Sequence, residues 1–329
     1  MYESRFIAMN KHKHPEIFQK RNYNKAYFEG WYYKQVTADG KNTVSFIPGV
    51  NFDKSGAKSF IQCLHLNQNN ELDAYMINYP IEAFSTSDNP FSIAINSSKF
   101  SMDCIKLDIN SEKLKVNGNV KLINLTSIET SVLNPNIMGF FSYIPFMECK
   151  HGIISMSHQL SGSLNINGEV IDFTGGKGYL EKDWGKSFPS SYVWIQSNHF
   201  EDKTTGLFLS LATIPFLSFS FTGFICNLIH QGKEYRFATY NGSKLIVNER
   251  TDTSVHLELR NKRYDLEIKG EAVLSKKLLA PKMGAMDKTI KEGLSGKVEI
   301  VLKDKKGHMI LKSKSYQCGM ELVDMLLPK

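Results

Sequence analysis

From Tyr27 to Met320 the chain is written in short runs of alternating apolar and polar residues, cut repeatedly by Gly, Asn, Asp and Pro. A two-residue period puts one face of each run against a core and the other toward a polar surface, which is the pattern of β-strands. Phe28–Val36, Thr43–Val50, Phe60–Leu66, Ile153–Asn165, Glu169–Tyr179 and Tyr192–His199 read as strands in this way. Asn117-Gly118, Asn167-Gly168 and Asn241-Gly242 offer the positive φ angles of tight hairpins. Strands do not alternate with helices, so a doubly wound sheet or an α/β barrel is excluded. The expectation is an all-β protein of antiparallel barrels or sandwiches in two packed units with very little helix. Met286–Leu294 is expected to form one short helix.

Residues 1–26 read as an N-terminal extension, 27–189 as a first β-barrel-like domain and 190–329 as a second, with strands open to exchange between them. At 329 residues the chain has room for two such units. The stretch from Thr204 to Ile229 has no charge, which is long enough to span a bilayer. Leu217, Phe219 and Phe221 nevertheless alternate with Ser218, Ser220 and Thr222, so it reads as two strands joined at Ile214–Pro215. Asn134–Glu148 carries Met138, Phe140, Phe141, Tyr143, Ile144, Phe146 and Met147 near Pro135 and Pro145. So apolar a loop covers either the sheet core or the mouth of a ligand site.

Charge excludes little. The net charge is +7 and the basic residues are dispersed, with local clusters at Lys11–Arg21 and Lys303–Lys306. No nucleic-acid-binding motif surrounds them, so no nucleic-acid partner is expected, and transient contact with an anionic membrane surface is the remaining use for such charge. Five widely spaced cysteines form no CxxC pair, which points to buried thiols in a reducing compartment. Met1–Arg21 lacks the apolar segment of a signal peptide. Together these give the expectation of a cytoplasmic protein. His65, His151, His158 and His199 are not at metal-ligand spacing, so a core or rim role is expected for them and neither metal nor cofactor is called for. Gly175-Gly176-Lys177-Gly178 lacks the spacing of a phosphate loop, and no serine sits in a nucleophile elbow.

Three segments hold all three tryptophans: Tyr27–Lys34, Thr174–Gly185 and Tyr192–His199. Strand alternation places Glu29, Trp31 and Tyr33 on one face of the first. In the second, Tyr179, Glu181 and Asp183 share a face and Lys182 and Trp184 take the other. In the third, Tyr192, Trp194, Gln196 and Asn198 share a face while Val193 and Ile195 point to ordinary core. Buried among rings, an acid is held protonated by desolvation. Glu29, Glu181 and Asp183 are therefore candidate proton donors to an alkene, and the faces of Trp31, Trp194 and nearby Tyr rings candidate stabilisers of the resulting cation. Each acid has an ordinary use as well, Glu181-Lys182-Asp183 as a surface turn and Glu29 as a structural hydrogen-bond acceptor. His199, with Asn198 and Gln196, is placed to orient a hydroxylated head group.

These segments, with Phe46-Ile47-Pro48-Gly49 and His151-Gly152-Ile153, resemble the tocopherol cyclase-like family from about Tyr27 to His199, with weaker likeness beyond. The resemblance implies a calycin-type fold related to lipocalins, kinship with carotenoid hydratase-type proteins, and an apolar small-molecule ligand. It further implies chemistry in which an acid protonates the alkene of a prenylated hydroquinone and a phenolic oxygen closes the ring, or hydration of such an alkene. Non-catalytic carriage of an apolar ligand is the alternative. Glu29, Trp31, Tyr33, Glu181, Asp183, Trp184, Trp194, Gln196 and Asn198 fall on family motifs, and Tyr179 and His199 extend the expected substrate-binding set. Plant members carry transit peptides; this chain shows none and looks like the bacterial members.

Overall fold

The computed structural model describes residues 11–20, 26–145, 147–216 and 219–323, and the side chains of 216 and 219 lie outside that description, as do Leu217 and Ser218. The described residues form twenty-two strands and three short 3₁₀ turns.

The first sheet holds twelve strands: β1 (Tyr27–Val36), β2 (Thr43–Asp53), β3 (Gly56–Leu66), β4 (Leu72–Pro80), β5 (Phe84–Asp88), β6 (Phe91–Ile95), β7 (Ser98–Ser101), β8 (Cys104–Asn110), β9 (Lys115–Ile123), β10 (Cys149–Ile166), β11 (Glu169–Asp172) and β12 (Lys177–Gly185). Their order is β4-β3-β2-β1-β12-β10-β9-β8-β7-β6-β5, with β11 beside β10. The second sheet holds ten: β13 (Tyr192–Ser197), β14 (Gly206–Phe216), β15 (Phe219–His230), β16 (Lys233–Ala238), β17 (Lys244–Arg250), β18 (Ser254–Arg260), β19 (Tyr264–Glu271), β20 (Lys276–Lys282), β21 (Ala285–Asp304) and β22 (Met309–Val323). Their order is β16-β15-β14-β13-β22-β21-β19-β18-β17, with β20 beside β21. Both sheets follow one plan, in which a four-strand meander starts from a first strand that pairs with the last.

Neither strand path returns to its starting strand, so the expected barrels are corrected to two open, antiparallel sheets. Closure depends on long-range edge pairing, which no local pattern encodes. By contact the chain divides into one unit of Met1–Phe188 with Leu279–Lys288 and a second of Pro189–Leu278 with Thr289–Lys329. Within the first unit the 279–288 segment is tied down by Gln62, whose Nε2 donates to the Leu279 carbonyl at 3.1 Å, and by the Gly284 amide on the Lys186 carbonyl at 2.7 Å.

Each sheet keeps one apolar face. In the first unit Trp31, Tyr33, Phe46, Val50, Ile61, Cys63 and Leu180 belong to a single buried cluster. In the second, Val193, Ile195, Leu209, Leu211, Cys226 and Met320 do the same, so Val193 and Ile195 point to core as their alternation requires.

Three local expectations change. Met286–Leu294 lies in β21, not in a helix; Ile290, Glu292 and Leu294 are buried while Thr289 and Lys291 are exposed, and that two-residue period prevails over helix propensity. The Thr204–Ile229 run is a hairpin, but Pro215 pairs with Ser220 inside it, so the reversal comes after Phe216 rather than at Ile214–Pro215. Asn167-Gly168 makes its turn with both φ angles positive, whereas Asn117-Gly118 runs through β9. A side chain on Gly118 would meet the Ser163 carbonyl at 2.4 Å, so that glycine serves a close approach of β9 to β10. No described helix is long and apolar enough to cross a membrane, and no disulfide joins any of the five cysteines.

Candidate functional site

Pairing of β1, β12 and β10 sorts the motif residues onto two faces. Glu29 lies opposite Trp184 and Trp31 opposite Lys182, so these four share the core face. Gly30 lies opposite Asp183 and Tyr32 opposite Glu181, while His151 faces Asp183 and Ile153 faces Glu181. The three acids proposed from sequence therefore do not converge.

On the core face, Glu29 is fully buried and fully answered. It forms an ion pair with Lys182, accepts the Tyr27 hydroxyl at 2.6 Å and accepts the Gln19 amide at 2.8 Å. Lys182 also donates to the Ile17 carbonyl at 2.5 Å. Its ammonium lies 4.5 Å from the Trp31 ring centroid and 5.2 Å from that of Trp184. The Trp31 face, expected to receive a substrate cation, thus already holds a resident one, shared with Trp184 rather than Trp194. Burial pulls the Lys182 ammonium down to about 8, with Glu29 opposing. Trp31 is closed off further by its Nε1 donating to the Glu16 carbonyl at 2.7 Å and by the Phe18 ring. Tyr33, also fully buried, donates to the Ser101 carbonyl at 3.2 Å. Glu29, Trp31 and Tyr33 are in this way parts of the folded core.

The opposite face is different. Tyr179 donates its hydroxyl to Glu181 Oε2 at 2.5 Å. The same oxygen lies 3.3 Å from His151 Nε2, a close ionic contact, and His151 Nδ1 lies 2.7 Å from Asp183 Oδ1. Tyr179, Glu181, His151 and Asp183 thus form one continuous row. Exposure falls along it, from 24% for the Asp183 side chain to 4% for Glu181, so Asp183 is the solvent-facing end. Burial disfavours charge on His151, but Asp183 and Glu181 outweigh it and push the imidazole up to about 10. At neutral pH the row holds a proton between two carboxylates. Burial and the Glu181 charge also keep the Tyr179 phenol protonated, well above its ordinary range. Donor atoms of His151, Glu181 and Asp183 lie within 4.8 Å of one another, close enough to ligate a cation. A cation there would have to replace the shared proton.

His151 is the residue that sequence reasoning missed as a partner of the acids. It sits 30 positions before Glu181 and meets it only across a strand pair, so spacing along the chain carries no signal.

A cleft of about 460 Å³ opens beside Trp184, lined also by Tyr27, Tyr143, Pro145, Met147 and Lys150. The apolar 134–148 loop contributes three of these residues, but no member of the Tyr179–Glu181–His151–Asp183 row lines the cleft; Phe146 lies outside the described residues. In the second unit Trp194 and Gln196 are buried on the face away from the core, and Asn198 Oδ1 lies 2.7 Å from His199 Nδ1. Tyr192 donates to Glu321, an acid that sequence reasoning did not single out.

A family model described as tocopherol cyclase-like matches residues 129–323, more than half of the chain. The chain belongs to that family. Among curated relatives, a protein of Oryza sativa subsp. japonica described as a probable chloroplastic tocopherol cyclase is 29% identical over 110 residues, which is 32% of this chain and 23% of the relative. The chloroplastic tocopherol cyclase of Zea mays is 40% identical over 63 residues, 19% of this chain and 13% of the relative. Both alignments thus cover under a quarter of the plant proteins. Among solved structures, CghA with Sch210972 superposes with a TM-score of 0.56 at 8% identity, covering 94% of this chain and 95% of that one. Kievitone hydratase from Nectria haematococca gives 0.53 at 11% identity over 94% and 93%. At such identities the likeness is one of fold.

Proposed function

We propose that this tocopherol cyclase-like chain is an enzyme that adds an O–H group across an alkene of an apolar, isoprenoid-like substrate. The observation that carries the reading is the Tyr179–Glu181–His151–Asp183 row, with its proton held between two carboxylates and Asp183 at its solvent-facing end. In the proposed step, Asp183 takes the proton from His151 Nδ1 and passes it to the less substituted alkene carbon. A C–H bond forms, the π bond breaks, and the positive charge rests on the tertiary carbon. A phenolic oxygen of the substrate attacks for ring closure, or water attacks for hydration. The C–O bond forms as the O–H bond breaks, and that proton returns through Asp183 to His151, leaving the row as it began.

Membership in the family supports this reading, and so does the supply of general acid–base groups in a protein whose other acid motif is committed to a structural ion pair. One observation favours carriage without chemistry. A proton held on His151 up to about 10 is costly to give to an alkene, so substrate binding must weaken that hold.

The test uses a geranylated hydroquinone in D₂O. The proposal expects a chroman or hydrated product with one deuterium at the protonated carbon, lost in Asp183→Asn, which keeps the wild-type melting profile to within a few degrees, and lost in His151→Gln, which melts lower but is folded at the assay temperature by circular dichroism. Return of the bound probe unaltered and without deuterium would establish carriage instead.

A further inference from the structure

In the second unit the strand register builds a polar row that the proposed chemistry does not use. Gln196 on β13 pairs with Phe208 on β14, Phe208 with Asn227 on β15, and Asn227 with Arg236 on β16. All four lie on the face away from the apolar core, which holds Leu207, Leu209, Cys226 and Leu228. Asn227 is fully buried, yet neither atom of its amide has a hydrogen-bond partner among the described residues. A carboxamide offers a carbonyl acceptor and an amino donor, and buried groups of this kind are almost always answered. On one side of it Arg236 is engaged by Glu234 in an ion pair, and on the other the neighbours are aromatic. Phe208 stands beside it, and Trp194 lies over Gly319, where an added Cβ would come within 2.7 Å of the indole. The glycine makes room for the ring.

We propose that Asn227 anchors the hydroxyl group of an otherwise apolar ligand lying along Phe208 toward Trp194. A hydroxyl matches both ends of the amide, donating to its carbonyl and accepting from its amino group; an ether oxygen matches only one. The span from β15 to β13 is about 10 Å at ordinary strand spacing, the length of a prenylated ring.

The inference rests on the proposed function for its choice of probe. Binding of a geranylated hydroquinone and of its dimethyl ether is measured by tryptophan fluorescence in the Asp183→Asn background, so that the probe is not consumed. The phenol is expected to bind about tenfold or more tightly than the ether, as for one well-placed hydrogen bond, and Asn227→Leu is expected to erase the difference by weakening the phenol alone. If Asn227→Leu does not fold, Asn227→Ala is read in the same way. Binding without discrimination in the parent protein, or discrimination that survives at position 227, overturns this inference and leaves the proposed function standing. Absence of saturable binding overturns both.

Discussion

Replacing Lys182 by methionine isolates the ion pair at the centre of the first unit. The substitution keeps the length of the side chain but deprives the Glu29 carboxylate, which is fully buried, of its ion-pair partner; the Tyr27 hydroxyl and the Gln19 amide stay bonded to it, and Lys20 is the neighbouring cation it still feels. It also removes the bond to the Ile17 carbonyl and the cation from between Trp31 and Trp184. Breaking a buried pair from one side costs about 3–5 kcal/mol, because a charge is left without its counterion. For a unit of roughly 150–250 residues, each kcal/mol moves the melting temperature by about 2–4 °C, so Lys182→Met should melt about 6–20 °C lower. Adding Glu29→Gln removes the stranded charge while an amide can still accept from Gln19 and donate to the Tyr27 oxygen. The double variant should therefore be more stable than Lys182→Met by about 2 kcal/mol or more. Calorimetry or chemical denaturation of the wild type, both single variants and the double variant gives the coupling directly. A loss under about 1 kcal/mol for Lys182→Met, or a double variant no better than the single, would refute the claim that these indoles and this carboxylate are organised around a resident ammonium.

The His151 imidazole is held up to about 10 against an ordinary 6.5. Its contribution to stability is therefore full below about 6.5 and declines as the pH rises toward 10. Because Lys182 is depressed to about 8, it acts with the opposite sign between about 8 and 10.5, so the measurement is the difference between wild type and His151→Asn; curves that run parallel from pH 6 to 9.5 would contradict the row. Burial holds His158 down to about 3, and its Nε2 lies 2.1 Å from where a Cβ on Gly178 would stand. Gly178→Ala should cost about 1–3 kcal/mol by overpacking, and a neutral result in denaturant titration would remove that constraint. Asp183→Asn should abolish product with little loss of fold, as chromatography of the product and a melting curve would report.

Much of this was legible in the chain, for reasons that can be named. Alternation alone gave strands at Phe28–Val36 and Tyr192–His199, which the structure forms as Tyr27–Val36 and Tyr192–Ser197, and placed Val193 and Ile195 in the core, because a two-residue period is a local property. The same alternation put Glu181 with Asp183 and Lys182 with Trp184. What it could not give was pairing between strands. Glu29 and Lys182 are distant in sequence and meet only because β1 lies beside β12, which turns two candidate catalytic features, an acid and an aromatic surface, into one structural ion pair. His151 acquires its part by the same kind of pairing with β12. Whether a sheet closes depends on its two outermost strands, and the residues of β4 and β5 carry no mark of what they fail to pair with.

The joining of first strand to last has a consequence for how the molecule is made. Phe28 finds Gly185 and Tyr192 finds Val323, each across more than a hundred intervening residues. Contacts so remote in sequence are slow to form. On the ribosome, β1 must wait with one edge unfilled until β12 has emerged, and the proton-bearing row, divided between β10 and β12, comes into being only with that last addition. A chain cut short before Gly319 would leave β13 in the same unfinished state. The vulnerability this connectivity builds in falls in the interval of synthesis before each last strand arrives, while an edge stands unpaired.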